Sequence, residues 1–138
     1  MRPLAVLIFF IFISSNFLKA QSAPYHVVFD VTSKDTIVHQ MVIRWVREIL
    51  NTAPDAKIEV VFYAKSLDMI TKDKSVVSSD VVNFSSRSNV AFKVCEVAMK
   101  NNAVEKSQLL PGVQIVPDGI YEIISRQHEG WGYIKAAR

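Results

Sequence analysis

The sequence predicts a single α/β domain with a mainly parallel five-stranded sheet and helices on both faces. Short segments rich in β-branched and aromatic residues alternate along the chain with segments of helical period. The first strand segment is apolar enough to be buried on both faces, as parallel strands are. Parallel strands are joined by right-handed crossovers that place helices on the sheet, and 138 residues provide one ordinary core.

The first 20 residues predict a cleavable secretory signal peptide. An unbroken apolar run from Leu4 to Ile13 precedes a region of small residues. The run is shorter than the ~20 residues of a spanning helix, so an uncleaved anchor is the weaker alternative. We expect cleavage after Ala20, with Ser22 as the second choice, and one domain over residues 21–138. The product is then periplasmic or secreted, with no stable membrane span.

Charge and motifs exclude several function classes. Removing residues 1–20 takes away two of the 16 Lys and Arg residues and none of the 13 Asp and Glu residues, which leaves a net charge of about +1. No basic run is interleaved with aromatic residues, so we expect no nucleic-acid binding. The three histidines lack ligand-like spacing, and no glycine-rich dinucleotide motif, P-loop or nucleophile elbow occurs. We therefore expect neither a metal nor a cofactor.

The first half of the mature chain predicts a strand–helix–strand unit. Tyr25 to Val31 is a strand, Asp35 to Thr52 a helix with a one-sided apolar stripe, and Lys57 to Tyr63 the second strand. Thr32 with Asp35 resembles a capping box at the helix start. Ile43 falls on the polar side of this helix, which fits either a partner subunit or one ordinary exposed residue.

The middle of the chain has a weaker pattern. Leu67 to Ile70 predicts a short buried turn, and Ser79 to Arg87 a short helix that buries Val81, Val82 and Phe84. We expect the apolar residues of the Leu67 to Ile70 segment, together with Ile43, to need cover from a second subunit.

The last third predicts three more strands. Val90 to Val94 forms the third strand and leads through Cys95 into a helix that ends near Asn101. The remaining predicted elements are a short helix from Glu105 to Leu110, a strand from Val113 to Val116, a helix from Ile120 to Glu129 capped by Asp118, and an edge strand from Trp131 to Lys135.

The carboxyl ends of these strands predict the position of a functional site. In open parallel sheets, sites form outside the carboxyl ends of the strands. Cys95, the only cysteine in the chain, is the candidate nucleophile, because backbone N–H groups at a strand-to-helix turn stabilise a thiolate. The other candidates at the same edge are Asp30, Tyr63, Lys65, Glu96 and Asp118.

Two of these candidates have an ordinary structural explanation as well. Free cysteine is among the most buried residue types, so Cys95 could be a packed small hydrophobic residue. Asp118 stands where an N-cap is expected, which is a commoner role than catalytic acid.

The chain resembles the DsrE/DsrF-like family, which includes YchN-type proteins and sulfur-relay subunits. The resemblance covers almost all of the mature chain. It depends on the strand that ends in Cys95 and on three tail motifs, Leu109 to Val113 (Leu-Leu-Pro-Gly-Val), Val116 to Ile120 (Val-Pro-Asp-Gly-Ile) and Gly130 to Tyr133 (Gly-Trp-Gly-Tyr). It implies a flavodoxin-like fold and homo-oligomers of trimeric or hexameric type. In relay members it also implies a cysteine after the third strand that carries persulfide sulfur, and Cys95 matches that position.

Two functions follow as expectations. The first is an exported sulfur-handling protein in which Cys95 accepts or transfers sulfane sulfur, with Lys65 or Lys93 as electrostatic support and Glu96 opposing thiolate formation. The second is a non-catalytic oligomeric module that binds a small ligand or a protein partner at the strand-end cleft. The sequence names neither a sulfur donor nor an acceptor.

Overall fold

A computed structural model of the protein describes residues 23–138, so the predicted signal peptide lies outside the described residues. Five strands form one sheet in the order β4-β3-β2-β1-β5, and every neighbouring pair is parallel. This confirms the predicted α/β class and the position of the last strand at an edge. The strands are β1 (His26–Val31), β2 (Lys57–Phe62), β3 (Val90–Cys95), β4 (Gln114–Val116) and β5 (Gly132–Ala136).

Helical segments connect the strands within residues 23–138. The α-helices are α1 (Thr36–Thr52), α2 (Ser78–Ser85), α3 (Glu96–Asn101) and α4 (Gly119–His128). Two 3-10 helices, Ser66–Ile70 and Lys106–Gln108, replace the predicted buried turn and the predicted short helix from Glu105 to Leu110. None of the helices in the described part of the chain has both the length and the apolar character that crossing a membrane requires.

The order of the strands decides which face each helix covers. From β1 to β4 the chain moves across the sheet in one direction, so right-handed crossovers put their helices on one face. The connection from β4 to β5 returns to the opposite edge and carries α4 across the other face. Accordingly, Val42 of α1 shares the main core with Phe29 and Phe92, whereas Ile123 of α4 packs with Val28 in a small second core.

The start of α1 differs from the prediction. Asp35 is the N-cap, because its Oδ1 accepts a hydrogen bond from the Ile37 N–H at 2.9 Å. Ser33 Oγ in turn accepts from the Asp35 N–H at 3.0 Å. Thr32 does not cap the helix, and its hydroxyl bonds instead to Lys135 Nζ at 2.9 Å.

The expected uncovered apolar residues are in fact buried. Ile43 is only 3% exposed, since the buried stripe of α1 is two residues wide in several turns and includes His39 beside Val38 and Ile43 beside Val42. The Leu67 to Ile70 segment also lies in the main core, apart from its partly exposed Asp68. These residues therefore give no argument for a partner subunit.

Exposed apolar side chains lie elsewhere in the described part. On α2, Val81 and Phe84 are buried as predicted, but Val82 is 38% exposed because it points to the other side of the helix. Larger exposure occurs on α3 and α4, where Val97, Ile120, Tyr121 and Ile124 are all more than half exposed. Within residues 23–138, three of these four side chains lie on one helix, α4, and form a patch of exposed apolar surface there.

Candidate functional site

A cavity of about 390 Å³ opens at the carboxyl edge of the sheet, beside Cys95. Its walls come from three segments that each follow a strand, as expected for a parallel sheet. The lining residues are Tyr63, Ala64 and Lys65 after β2, Cys95, Val97, Ala98, Asn101 and Asn102 at the end of β3 and in α3, and Asp118 and Ile120 after β4.

Cys95 is the last residue of β3 and occupies the N-cap position of α3. Its backbone is extended there, and its side chain makes no capping hydrogen bond. The cysteine is unpaired and only 6% exposed, and it lines the cavity. A reagent therefore has to enter the cavity to reach the sulfur.

The N-terminus of α4 packs directly on Cys95. A Cβ atom placed on Gly119 would lie 3.0 Å from Cys95 Cβ and 3.3 Å from Val61 Cγ1. Contacts this short are rare between real Cβ atoms, so a side chain at position 119 would require Cys95, Val61 or α4 to shift by a few tenths of an ångström. Asp118 caps the same helix, its Oδ1 accepting from the Ile120 N–H at 2.8 Å and the Tyr121 N–H at 3.2 Å. The sequence predicted the cap but not the close packing of Gly119.

Tyr63 forms one wall of the cavity and is held by Asp30. The Tyr63 hydroxyl donates to Asp30 Oδ2 at 3.1 Å, and the Tyr133 hydroxyl donates to the same oxygen at 2.6 Å. Lys135 Nζ donates to Asp30 Oδ1 at 2.9 Å. Asp30 is itself buried, so it reaches the cavity only through Tyr63.

The Asp30 carboxylate also contributes to the raised pKa values of both tyrosines. Burial, and then the hydrogen bond from the hydroxyl to Asp30, raise the pKa of Tyr63 above its ordinary range. The hydrogen bond to Asp30 and partial burial raise the pKa of Tyr133 to about 12. Both hydroxyls are therefore neutral donors at neutral pH. The sequence missed Tyr133 and Lys135 as partners of this cluster, because they lie on β5 and reach Asp30 only through the pairing of β5 with β1.

Lys65 lines the cavity from a turn that Asn102 stabilises. Lys65 Nζ is 3.4 Å from Asn102 Oδ1, and Asn102 Nδ2 donates to the carbonyls of Ala64 and Ala98 at 2.8 Å each. Ala64 has φ 56°, a left-handed conformation that glycine adopts more easily. The Asn102 hydrogen bond therefore holds a strained turn, which no local pattern in the sequence had indicated.

Two predicted residues lie away from the cavity. Glu96 is exposed and pairs with Lys100 at 3.3 Å on the surface of α3. Lys93 Nζ contacts Glu59 Oε2 at 2.8 Å and Glu122 Oε1 at 2.7 Å, within a largely buried ion network under α4. Of the predicted site residues, Cys95, Tyr63, Lys65 and Asp118 thus line one cavity, Asp30 stands behind Tyr63, and Glu96 points elsewhere. Within residues 23–138, no cluster of three or more metal-ligating side chains occurs.

The family model for DsrE/DsrF-like proteins matches residues 8–136. The chain belongs to the DsrE/DsrF-like family. No curated protein matches this DsrE/DsrF-like chain.

Solved structures of similar fold accompany the family match. A protein of unknown function, MTH1491, from Methanobacterium thermoautotrophicum is 32% identical, with a TM-score of 0.75 over 80% of this chain and 98% of that chain. BT1422 from Bacteroides thetaiotaomicron, also of unknown function, is 15% identical, with a TM-score of 0.66 over 80% of this chain and 94% of that chain. The ychN protein from E. coli is 9% identical, with a TM-score of 0.68 over 81% and 98%. The last two likenesses concern the fold alone.

Proposed function

We propose that this DsrE/DsrF-like protein handles sulfane sulfur at Cys95. The observation that carries the proposal is the position of Cys95, at the end of β3 and in the wall of a cavity at the carboxyl edge of the sheet. The family to which the chain belongs supports the same chemistry by its name and by its relay members.

The reaction requires no external oxidant or reductant. The Cys95 thiolate attacks the outer, sulfane sulfur of a donor R–S–SH, a new S–S bond forms to Cys95, and the S–S bond of the donor breaks. The thiolate R–S⁻ leaves, and the proton lost by Cys95 passes to the solvent or to the leaving thiolate. An acceptor thiolate reverses these steps and takes the sulfur from the Cys95 persulfide.

The surroundings of Cys95 both favour and limit this chemistry. The N-terminus of α4 packs against Cys95 and the Lys65 ammonium lies in the same cavity, and both favour a negative sulfur. The carboxylate of Asp118 opposes it, although its Oδ1 is occupied by two α4 amides. A helix N-terminus typically stabilises a nearby negative charge by under about 1 kcal/mol. The cavity, which positions the donor beside Cys95, is therefore more important for the reaction than this electrostatic support.

A second function is favoured by the burial of Cys95. A thiol that is 6% exposed fits a non-catalytic module that binds a small ligand or a protein partner in the same cavity, with Cys95 as a packing residue. Intact-mass analysis after polysulfide treatment separates the two functions. A mass gain of one sulfur atom that is lost in Cys95→Ser supports sulfur handling, whereas a native protein that gains no sulfur supports the binding module.

We further infer that the protein is exported and forms homo-oligomers, of trimeric or hexameric type. The apolar run before residue 20 supports export to the periplasm or beyond. The exposed side chains of Ile120, Tyr121 and Ile124 on one helix support self-association, because contiguous apolar surface of this kind is usually covered.

A further inference from the structure

The cavity beside Cys95 is larger than a simple inorganic sulfur donor requires. Its volume of about 390 Å³ falls in the range of roughly 300–1,000 Å³ that is typical of small-molecule sites. A water molecule takes about 30 Å³ of liquid, so a donor of only a few atoms would leave most of the space empty. The size therefore suits an organic molecule.

The charge at the cavity comes from Lys65. Among the described residues that line it, Lys65 is the only one with a positive side chain, and Asp118 the only one with a negative side chain. An ammonium group has three donors, and the single contact of Lys65 Nζ with Asn102 Oδ1 is long, at 3.4 Å. Asp118 Oδ1 already accepts from two backbone amides of α4. Lys65 is thus the group that can bind an anion.

The rest of the cavity is mostly apolar and is held in shape. Val97, Ala98 and Ile120 supply apolar surface to the same cavity that Lys65 and Cys95 line. The Tyr63 ring completes this wall, and its hydroxyl is tied to the buried carboxylate of Asp30. A ligand therefore meets a largely apolar cavity with one cation on its wall.

We propose that the sulfur donor of Cys95 is a small organic persulfide that carries a carboxylate, with the carboxylate on Lys65 and the sulfane sulfur at Cys95. This inference rests on the proposed function and adds the class of the substrate. The Cys95 thiolate attacks the sulfane sulfur of ⁻OOC–R–S–SH, the S–S bond of the donor breaks, and ⁻OOC–R–S⁻ leaves the cavity. Atoms and electrons balance without a co-reactant, as in the general reaction above.

The experiment compares two persulfides of similar size, one anionic and one neutral. The persulfides of 3-mercaptopropionate and 2-mercaptoethanol are offered to the native protein at rising concentration, and intact mass gives the rate of sulfur gain at Cys95. The same series is run on Lys65→Met, which keeps the apolar stem, and on Lys57→Met. Lys57 is an exposed lysine at the opposite, amino end of β2 and serves as the matched control.

We expect the anionic persulfide to load Cys95 with saturation and faster than the neutral one. Lys65→Met should lower the anionic rate about threefold more than the neutral rate, in keeping with the loss of an exposed ion pair, because the support that Lys65 gives to the Cys95 thiolate is lost for both persulfides alike. Lys57→Met should change neither rate. Equal loading by both persulfides, or an equal effect of Lys65→Met on both, would overturn this inference while the proposed function stands. If neither persulfide adds sulfur to Cys95, the proposed function fails as well.

Discussion

Gly119 and Cys95 are in such close contact that a Cβ atom on residue 119 would lie 3.0 Å from the Cβ of Cys95. The first residue of α4 thereby touches the last residue of β3. Since Ile120 and Asp118 line the cavity beside Cys95, the placement of α4 also sets the shape of that cavity. The lack of a side chain at position 119 therefore connects helix packing to access to the thiol.

Gly119→Ala should displace α4 from Cys95. We expect a loss of about 1–3 kcal/mol in the free energy of unfolding, the usual cost of overpacking, and a changed rate of Cys95 alkylation. Urea unfolding and alkylation followed by intact mass measure the two effects. Gly132→Ala is the matched control, because a Cβ there meets only the His26 carbonyl oxygen at an ordinary 3.5 Å. A Gly119→Ala protein equal to wild type in both measurements would show that α4 tolerates the methyl group.

Asp30→Asn should release both tyrosines. In the wild type we expect Tyr133 to ionise at about 12 and Tyr63 higher still, and the variant should lower both pKa values because the carboxylate that opposes the phenolates is gone. Ultraviolet absorbance during alkaline titration measures this. Asp30→Asn should also lower the free energy of unfolding by about 1–3 kcal/mol, because the hydrogen bonds to the charged carboxylate are lost. The contribution of Lys135 to this figure is reduced by its exposure to solvent. The exposed Asp55→Asn is the control, and unchanged tyrosine titration in Asp30→Asn would contradict the expectation.

The raised tyrosine pKa values also predict an alkaline loss of stability. An unfolded tyrosine ionises near pH ~10, below the folded pKa of Tyr133. The folded state therefore binds the phenolic protons more tightly than the unfolded state, and stability falls as pH rises from ~10 through about 12. Asp30→Asn should make this loss of stability smaller. The urea concentration at the unfolding midpoint, measured across the same pH range, tests this.

Glu59 and Glu122 share the cation Lys93 but should respond oppositely to neutralisation. Burial raises the pKa of Glu59 despite its ion pairs, and Glu59 Oε1 has no hydrogen-bond partner in the described part of the chain. Partial burial raises the pKa of Glu122 as well, but the contacts with Lys93, Glu59 and Arg126 outweigh it and lower the pKa overall. Glu59→Gln should therefore be nearly neutral in stability, whereas Glu122→Gln should destabilise the protein by about 1–3 kcal/mol.

The pH dependence of the two variants checks the sign. The ionised Glu122 stabilises the fold above the ordinary glutamate pKa, and this stabilisation is lost as the pH falls below it. Glu122→Gln should remove this loss of stability at acid pH. For Glu59 the pKa in the folded state is raised, so the protein loses stability as the pH rises above the ordinary glutamate pKa. Glu59→Gln should remove this loss of stability. Urea unfolding from acid to neutral pH measures both, and a larger cost at neutral pH for Glu59→Gln than for Glu122→Gln would refute the assignment.

A charge on the outer face of α4 should weaken the proposed self-association. Ile124 is 55% exposed beside Tyr121 at 69%, so Ile124→Lys should leave the fold intact and reduce the mass found by light scattering. Val76→Lys, at an exposed valine of the loop before α2, is the control and should leave the mass unchanged. A wild-type protein that is monomeric at high micromolar concentration would contradict self-association.

Processing of the leader is a further expectation. Exported protein should begin at or near Gln21, because the apolar run before it is short and is followed by small residues. N-terminal sequencing of material from the periplasm or the medium of an expression host tests this. Intact Met1 in a membrane fraction would indicate an uncleaved anchor instead.

The sequence by itself determined the α/β class, the alternation of strands and helices, and the edge to which Cys95, Tyr63, Lys65 and Asp118 belong. These features are local, since hydrophobic period, capping residues and turn residues act within a few positions of one another. For the same reason the cap at Asp118 was predicted correctly. The polar-side assignment of Ile43 was wrong, because the width of a buried stripe depends on the neighbours that cover the helix.

Only the tertiary structure decided which residues meet at the site. Tyr133 bonds to Asp30 across 103 positions of sequence, through the return of β5 to the β1 edge, and Lys93 turns from the cavity to two carboxylates under α4. The contact of Gly119 with Cys95 likewise follows from the crossing of α4 over the face opposite α1. Such contacts depend on strand order and register, which minimise the free energy of the whole packed chain and leave no periodic trace in any single segment.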